Sequence, residues 1–221
     1  MIFSSIKLYL NATLDLIFPR ICPSCQEALS NAEKHMCIFC ESELLSPSTK
    51  QPNYKDRIQH PINRMYYLMT YTKKGKSQYI FNEIKYRGNK NLAKHLGTFF
   101  VNNQDYDCII PVPLHPIKER KRGYNQAEMI ARGINSKLVV KDVIKRNKNL
   151  SAFASKNKND RWDEVEDLYS IEPQIISKGS KILLVDDILT TGATLTACVK
   201  LLAPYKPKRI DIAVAAVTTL D

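Results

Sequence analysis

No stretch of this chain stays apolar over the roughly 18–20 residues that a bilayer-crossing helix needs, so no membrane span is expected. The first eighteen residues come nearest, but Lys7 and Asp15 interrupt them and no small-residue cleavage site follows. An export signal is thereby disfavoured. Phe3, Ile6, Leu10, Leu14 and Ile17 fall on one helical stripe, which predicts an amphipathic helix packed on its own protein and a cytoplasmic location. Internal repeats are absent, which excludes solenoid and propeller architectures. The full Walker A pattern is absent too: Gly75-Lys76-Ser77 has Thr70 where the first glycine belongs. Negative charge is scarce, with 22 Asp and Glu against 33 Lys and Arg, for a formal net charge of +11. Such a surface attracts polyphosphates or nucleic acid, although a purely solubilising origin of the charge fits the composition equally well.

At 221 residues the chain is long enough for one α/β domain and a small appendage. The appendage is written in the cysteines. Of six, four form Cys22-Pro23-Ser24-Cys25 and Cys37-Ile38-Phe39-Cys40. Each C-x2-C turn aims two thiolates at one point, and two turns complete the closed tetrahedral shell of a structural Zn²⁺. A closed shell leaves no position for a reacting water, so this metal is expected to hold the fold and take no part in chemistry. A redox pair or disulfides are the alternatives. His35, beside the second turn, is expected on the surface. Cys108 and Cys198 sit in apolar patterns and read as small core residues.

Residues 46–61 are polar and Pro-containing and read as a linker or long loop. Met65–Tyr71 reads as a strand, followed by helices over residues 76–85 and 92–100. Between them, Ile84-Lys85-Tyr86-Arg87-Gly88 is either a helix C-terminus with basic residues and a glycine cap, or a basic turn whose aromatic ring stacks on a base. An apolar strand over residues 107–112 runs into Pro111 and Pro113 and then into a basic loop, Pro116 to Gln126. Lys118, Arg120, Lys121 and Arg122 there suit several negative oxygens, pyrophosphate above all. A solvated loop or a contact with nucleic-acid backbone is the alternative. A helix is expected from about Asn125 and a further strand near residues 138–140. Residues 147–167, polar and Asn-rich, suggest a flap over the site. Arg209–Thr218 reads as a buried strand.

The most informative string is Lys181-Ile182-Leu183-Leu184-Val185-Asp186-Asp187-Ile188-Leu189-Thr190-Thr191-Gly192-Ala193-Thr194. It reads as strand, loop and helix, with two acids directly after the buried-strand pattern. Ligands of open parallel sheets collect at such strand ends. Thr190, Thr191 and Thr194 offer hydroxyls, Gly192 lets backbone N–H groups converge, and the following helix presents its positive end to a phosphate. Asp186 and Asp187 can accept hydrogen bonds from a ribose diol, or meet a Mg²⁺ through its water shell.

As a whole the string resembles the phosphoribosyl-pyrophosphate (PRPP) signature of type I phosphoribosyltransferases. The resemblance implies that Asp186 and Asp187 bind the ribose hydroxyls, and that Thr190, Thr191, Gly192, Ala193 and Thr194 wrap the 5′-phosphate. Mg²⁺-pyrophosphate would lie near Val112, Pro113 and Lys121, with Arg120 and Arg122 stabilising the leaving group. A narrower resemblance rests on the order of parts: the paired C-x2-C turns, Ile84-Lys85-Tyr86-Arg87-Gly88, Pro111-Val112-Pro113-Leu114, Arg122-Gly123-Tyr124-Asn125-Gln126, Arg161-Trp162 and the PRPP string. That order is similar to the ComF-type proteins of bacterial natural competence. It implies an open parallel sheet flanked by helices, with a small N-terminal zinc module held by the four cysteines Cys22, Cys25, Cys37 and Cys40. Residues 1–50 would hold the amphipathic helix and zinc module, and residues 51–221 the phosphoribosyltransferase-like domain. PRPP, single-stranded DNA and competence or helicase proteins are the implied partners. Phe153 and Glu164 depart from the family pattern around the flap arginine, Arg161. Two functions follow: a phosphoribosyltransferase of the glycosyltransferase class, or a non-catalytic single-stranded nucleic-acid-binding factor on the same fold.

Overall fold

The computed structural model describes residues 19–45, 55–100, 105–146, 168–172 and 176–219. The amphipathic stripe before residue 19 and the flap with Arg161, Trp162, Phe153 and Glu164 lie outside the described residues. Along the chain come α1 (Ile38–Leu44), β1 (Met65–Tyr71), α2 (Lys76–Tyr86), α3 (Lys90–Thr98), β2 (Cys108–Pro111), α4 (Pro116–Arg122) and α5 (Gln126–Asn135). They are followed by β3 (Ile144–Arg146), β4 (Tyr169–Ile171), β5 (Lys181–Leu189), α6 (Ala193–Leu202) and β6 (Arg209–Thr218).

Four strands form an all-parallel sheet in the order β1-β6-β5-β2, and β3 and β4 pair antiparallel beside it. The two central strands are apolar almost throughout because helices cover both sheet faces. Leu183, Val185, Ala213 and Ala215 share a core with Ile80 and Phe81 of α2, Leu92 and Leu96 of α3, and Ile130 of α5. Alternate residues Ile182, Leu184, Ile212 and Val214 pack with Leu195, Cys198, Val199 and Leu202 of α6. Met36, Cys37 and Cys40 belong to the first of these cores, so the cysteine module is seated on the sheet layer. α3 and α5 cross where Gly97 meets Gly133; a Cβ on Gly97 would stand 2.1 Å from the Ile130 carbonyl oxygen. Among the described residues no helix is long and apolar enough to cross a membrane.

Three expectations need correction. The basic loop is a helix over Pro116–Arg122: Pro116 opens its first turn, the His115 ring accepts from Ile117 N at 3.2 Å, left-handed Gly123 stops it, and the basic last turn suits the negative helix end. Asp186 and Asp187 stand within β5, not after it, because Asp186 and Ile188 still pair with Val214 and Ala216 of β6. The apolar run at residues 138–140 makes only a single parallel bridge, Val139 to Ile109. Of the two readings of residues 46–61, the long loop holds from Lys55 onward, as a packed strap in which Arg57 and Ile58 are buried and Ile62 just beyond it is buried too. Gly75-Lys76-Ser77 turns β1 into α2, and the buried Ser77 hydroxyl accepts from Thr72 N at 2.9 Å.

Candidate functional site

Because the sheet is wholly parallel, the carboxyl ends of β1, β2, β5 and β6 share one edge, and the string singled out in the sequence lies at the centre of it. The Asp186 carboxylate accepts from Asp187 N at 2.8 Å, and that of Asp187 from Ile188 N at 2.7 Å. Burial and the neighbouring Asp187 charge push the Asp186 carboxyl well above the usual carboxylate range. Lys85 crosses from α2 to place its ammonium 2.9 Å from Asp187 Oδ2. Two adjacent carboxyl groups beside one lysine gather several oxygen acceptors at the strand end. That suits a diol, or the water shell of a hard cation such as Mg²⁺.

The chain then leaves β5 and enters α6 through residues 190–194. Gly192 is the N-cap of α6 in the left-handed region, at φ 85°, and the first N–H groups of α6 have no helical acceptor. Asp186 and residues 188–195 line a small concavity of about 40 Å³ at this turn. The loop is braced from a distance that pattern reading does not reach. Arg57 donates to the Thr190 carbonyl at 2.9 Å, to the Thr218 carbonyl at 2.8 Å and to Thr218 Oγ1 at 3.2 Å. A Cβ on Gly192 would stand 2.2 Å from the Arg57 carbonyl oxygen, so loop and strap touch backbone to backbone. The Thr196 hydroxyl accepts from Gln59 N at 3.1 Å and fixes the next part of the strap.

A second concavity, of about 570 Å³, opens between the C-terminus of α2 and α4. It is lined by Lys85, Tyr86, Arg87, Lys118, Lys121 and Arg122 together with Gly88. Lys121 and Arg122 are thus gathered next to the acid pair through their shared neighbour Lys85. Arg120 is exposed and lines neither this cavity nor the one at residues 188–195. Val112 and Pro113 directly follow β2, and Val112 N donates to Val185 O at 2.8 Å, one residue before Asp186. The helix-end reading of Ile84 to Gly88 is realised, with Arg87 as C-cap and Gly88 at φ 72°, and Lys85 to Gly88 form a cavity wall.

The cysteine cluster packs into the core that β1 shares with α2 and α3. The Sγ atoms of Cys22, Cys25, Cys37 and Cys40 all lie within 4.8 Å of one another, and those of Cys25 and Cys37 are 3.7 Å apart. Tetrahedral Zn–S bonds of about 2.3 Å require sulfurs about 3.8 Å apart, so the four thiols fit that ion. Burial opposes ionisation of Cys22, but N–H groups of Cys37, Cys25 and Ser24 outweigh it and hold the thiol at about 7. His35 stays outside the cluster. It is half-buried, its ring 4.9 Å from that of His95, which in turn meets Glu41 of α1 at 2.6 Å.

A family profile described as the phosphoribosyl transferase domain matches residues 116–218, from the start of α4 to the end of β6. Competence protein F of Haemophilus influenzae is 30% identical over 113 residues, 48% of each chain. Competence protein ComFC of Bacillus subtilis is 22% identical over 196 residues, 80% of this chain and 75% of that one. Competence protein ComFC of Streptococcus pneumoniae is 30% identical over 126 residues, 55% of this chain and 54% of its own length. Residues 116–218 are thus a phosphoribosyltransferase domain, on a chain similar to the ComF-type competence proteins. Its matches span about half the length of two of these relatives and three quarters of the third.

In this chain the block Arg122-Gly123-Tyr124-Asn125-Gln126 is a knot tying the site's walls together. The Tyr124 hydroxyl donates to the Ile84 carbonyl of α2, next to Lys85. Asn125 donates to the Val112 carbonyl at 2.8 Å and caps α5 at Ala127 N. Arg122 donates to Gln126 Oε1 at 3.0 Å, which anchors its guanidinium at the cavity. Sequence reading recognises the block as a motif; only the fold gives each residue a task.

Proposed function

We propose that this ComF-type protein binds PRPP and acts as a phosphoribosyltransferase, of the glycosyltransferase class, in the cytoplasmic handling of incoming single-stranded DNA during competence. The 5′-phosphate would rest on residues 190–194 at the start of α6, where Thr hydroxyls and unsatisfied N–H groups converge. Asp186 and Asp187 would accept the ribose hydroxyls. The pyrophosphate, with its Mg²⁺, would lie against Val112, Pro113, Lys121 and Arg122, with Arg120 adding charge from the outer face of α4. When the C1′–O bond breaks, its electron pair leaves with pyrophosphate, and the acceptor's lone pair forms the new bond to C1′. Cationic donors near the departing oxygens lower that barrier because charge develops there.

The observation that carries the reading is the continuity of Asp186, Asp187 and the 190–194 turn, with Lys85 between the acids and Lys121 and Arg122. One edge of one sheet thus holds acceptors for a diol, donors for a monophosphate and cations for a diphosphate. Calorimetric titration of the zinc-loaded protein with PRPP and Mg²⁺, beside an Asp186→Ala/Asp187→Ala variant, tests it. Micromolar binding lost in the variant supports a working sugar-phosphate site; no binding by the intact protein sinks it. In that case the cationic cavity favours the second reading, a non-catalytic single-stranded nucleic-acid-binding factor whose affinity falls steeply with salt.

A further inference from the structure

The cavity between α2 and α4 is larger and more varied than a diphosphate requires. Its volume of about 570 Å³ falls within the range of roughly 300–1,000 Å³ typical of small-molecule sites. Five of its lining residues are cationic and none is acidic. Arg87 pairs with Glu83 and Lys85 with Asp187, while Lys118, Lys121 and Arg122 have no acid paired to them among the described residues. Converging unneutralised cations in a concavity repel one another, and an anionic ligand removes that cost.

Charge alone would fit any anion; the aromatic ring narrows it. Tyr86 is 73% exposed at the rim of the cavity, with the Arg122 guanidinium 5.9 Å from its ring centroid. Pyrophosphate makes no use of a ring face, whereas a base stacks on one and on a guanidinium plane alike. The walls are also held in place before any ligand arrives. Tyr124 ties α4's end to the Ile84 carbonyl, and Arg122 is anchored on Gln126, itself only 1% exposed. Fixed side chains lose little entropy on binding.

We propose that this cavity binds a nucleotide as a second ligand, its phosphate on Lys118 and Arg87 and its base on Tyr86, beside the pyrophosphate cations Lys121 and Arg122. Lys85 lines the cavity and contacts Asp187, so the nucleotide lies one side chain away from the ribose carboxylates. Its role as the partner of PRPP rests on the phosphoribosyltransferase reading; its binding does not. The nucleotide is either free or one unit of a strand, and the same contacts serve both.

The test titrates thymidine 5′-monophosphate, a short oligothymidylate, inorganic phosphate and PRPP into the intact protein and into Tyr86→Ala and Lys118→Gln. Loss of one stacking contact should weaken nucleotide binding in Tyr86→Ala by roughly 5- to 150-fold. Inorganic phosphate and PRPP should bind that variant as they bind the intact protein. Lys118→Gln should weaken nucleotide binding and lower its salt slope by about 1. Ring-dependent binding of the monophosphate identifies a free nucleotide, and ring-dependent binding of the oligomer alone identifies a strand. Nucleotide binding that ignores Tyr86→Ala, or is no tighter than that of inorganic phosphate, overturns the proposal. If PRPP fails to bind while Tyr86-dependent nucleotide binding persists, the phosphoribosyl reading falls and this site stands.

Discussion

Gly192 and Gly88 both adopt left-handed backbone, at φ 85° and 72°, yet their surroundings differ completely. A Cβ on Gly88 would meet nothing within 4 Å; one on Gly192 would stand 2.2 Å from the Arg57 carbonyl oxygen and 2.9 Å from its carbon. Alanine at either position pays the left-handed strain of about 1–2 kcal/mol. Only Gly192→Ala must also push the strap and the 190–194 turn apart by about 1 Å to reach ordinary contact, an overpacking of about 1–3 kcal/mol. In urea, with an m-value near 2 kcal/mol/M, Gly192→Ala should therefore unfold about 0.5–1.5 M earlier than Gly88→Ala. The same displacement moves the turn proposed to hold the 5′-phosphate, where about 1 Å of misplacement can cost about 100-fold. PRPP affinity measured by calorimetry should thus collapse in Gly192→Ala and persist in Gly88→Ala. Equal destabilisation of the two variants, or unchanged PRPP affinity in Gly192→Ala, would refute the argument that the strap shapes the loop.

The raised Asp186 carboxyl means that the folded chain retains a proton that the unfolded chain has lost, so its stability contribution is full below about pH 4 and drains away as pH rises through the folded value. Asp186→Asn should flatten that decline and unfold later than the intact protein near pH 8, while weakening PRPP binding; thermal unfolding across pH 4–9 checks the slope. Asp211 is wholly buried and accepts from Arg64 N at 3.0 Å and from Tyr106 OH at 2.7 Å, so Asp211→Ala should cost about 3–5 kcal/mol in chemical denaturation. Chelation of zinc, or Cys37→Ser, should lower the unfolding temperature, because Cys37 and Cys40 share a core with β1 and α2. A metal-free protein as stable as the loaded one would contradict this. If turnover is found, Arg122→Ala should reduce kcat by about 100- to 1,000-fold, the usual worth of one transition-state donor; a change confined to KM would assign Arg122 to binding only.

The sequence by itself determined the elements that carry strong local signals. Met65–Tyr71 and Arg209–Thr218 are strands over the very residues their apolar patterns mark, because a strand covered on both faces must be apolar nearly throughout. The two C-x2-C turns announced a four-thiol cluster, since each turn's geometry is local and only their meeting is not. The Asp-Asp string and the Thr/Gly turn were legible for the same reason: a strand carrying the acids, a turn and a helix follow one another without interruption.

Tertiary structure decided what depends on residues far apart. Lys85 meets Asp187 across some hundred positions, and Arg57 reaches Thr190 and Thr218 across 133 and 161, separations at which periodicity carries no information. A polar stretch read as a linker or long loop is a packed strap because its one buried guanidinium found three oxygens at the sheet edge. The basic run read as loop became a helix whose Lys118, Lys121 and Arg122 share one cavity wall while Arg120 points elsewhere, a division set by 3.6-residue geometry and by what α2 presents opposite. Residue types along the chain are fixed by covalent order, but convergence of charges is fixed by packing. The order of strand, turn and helix was therefore readable from the string, and its electrostatic setting only from the fold.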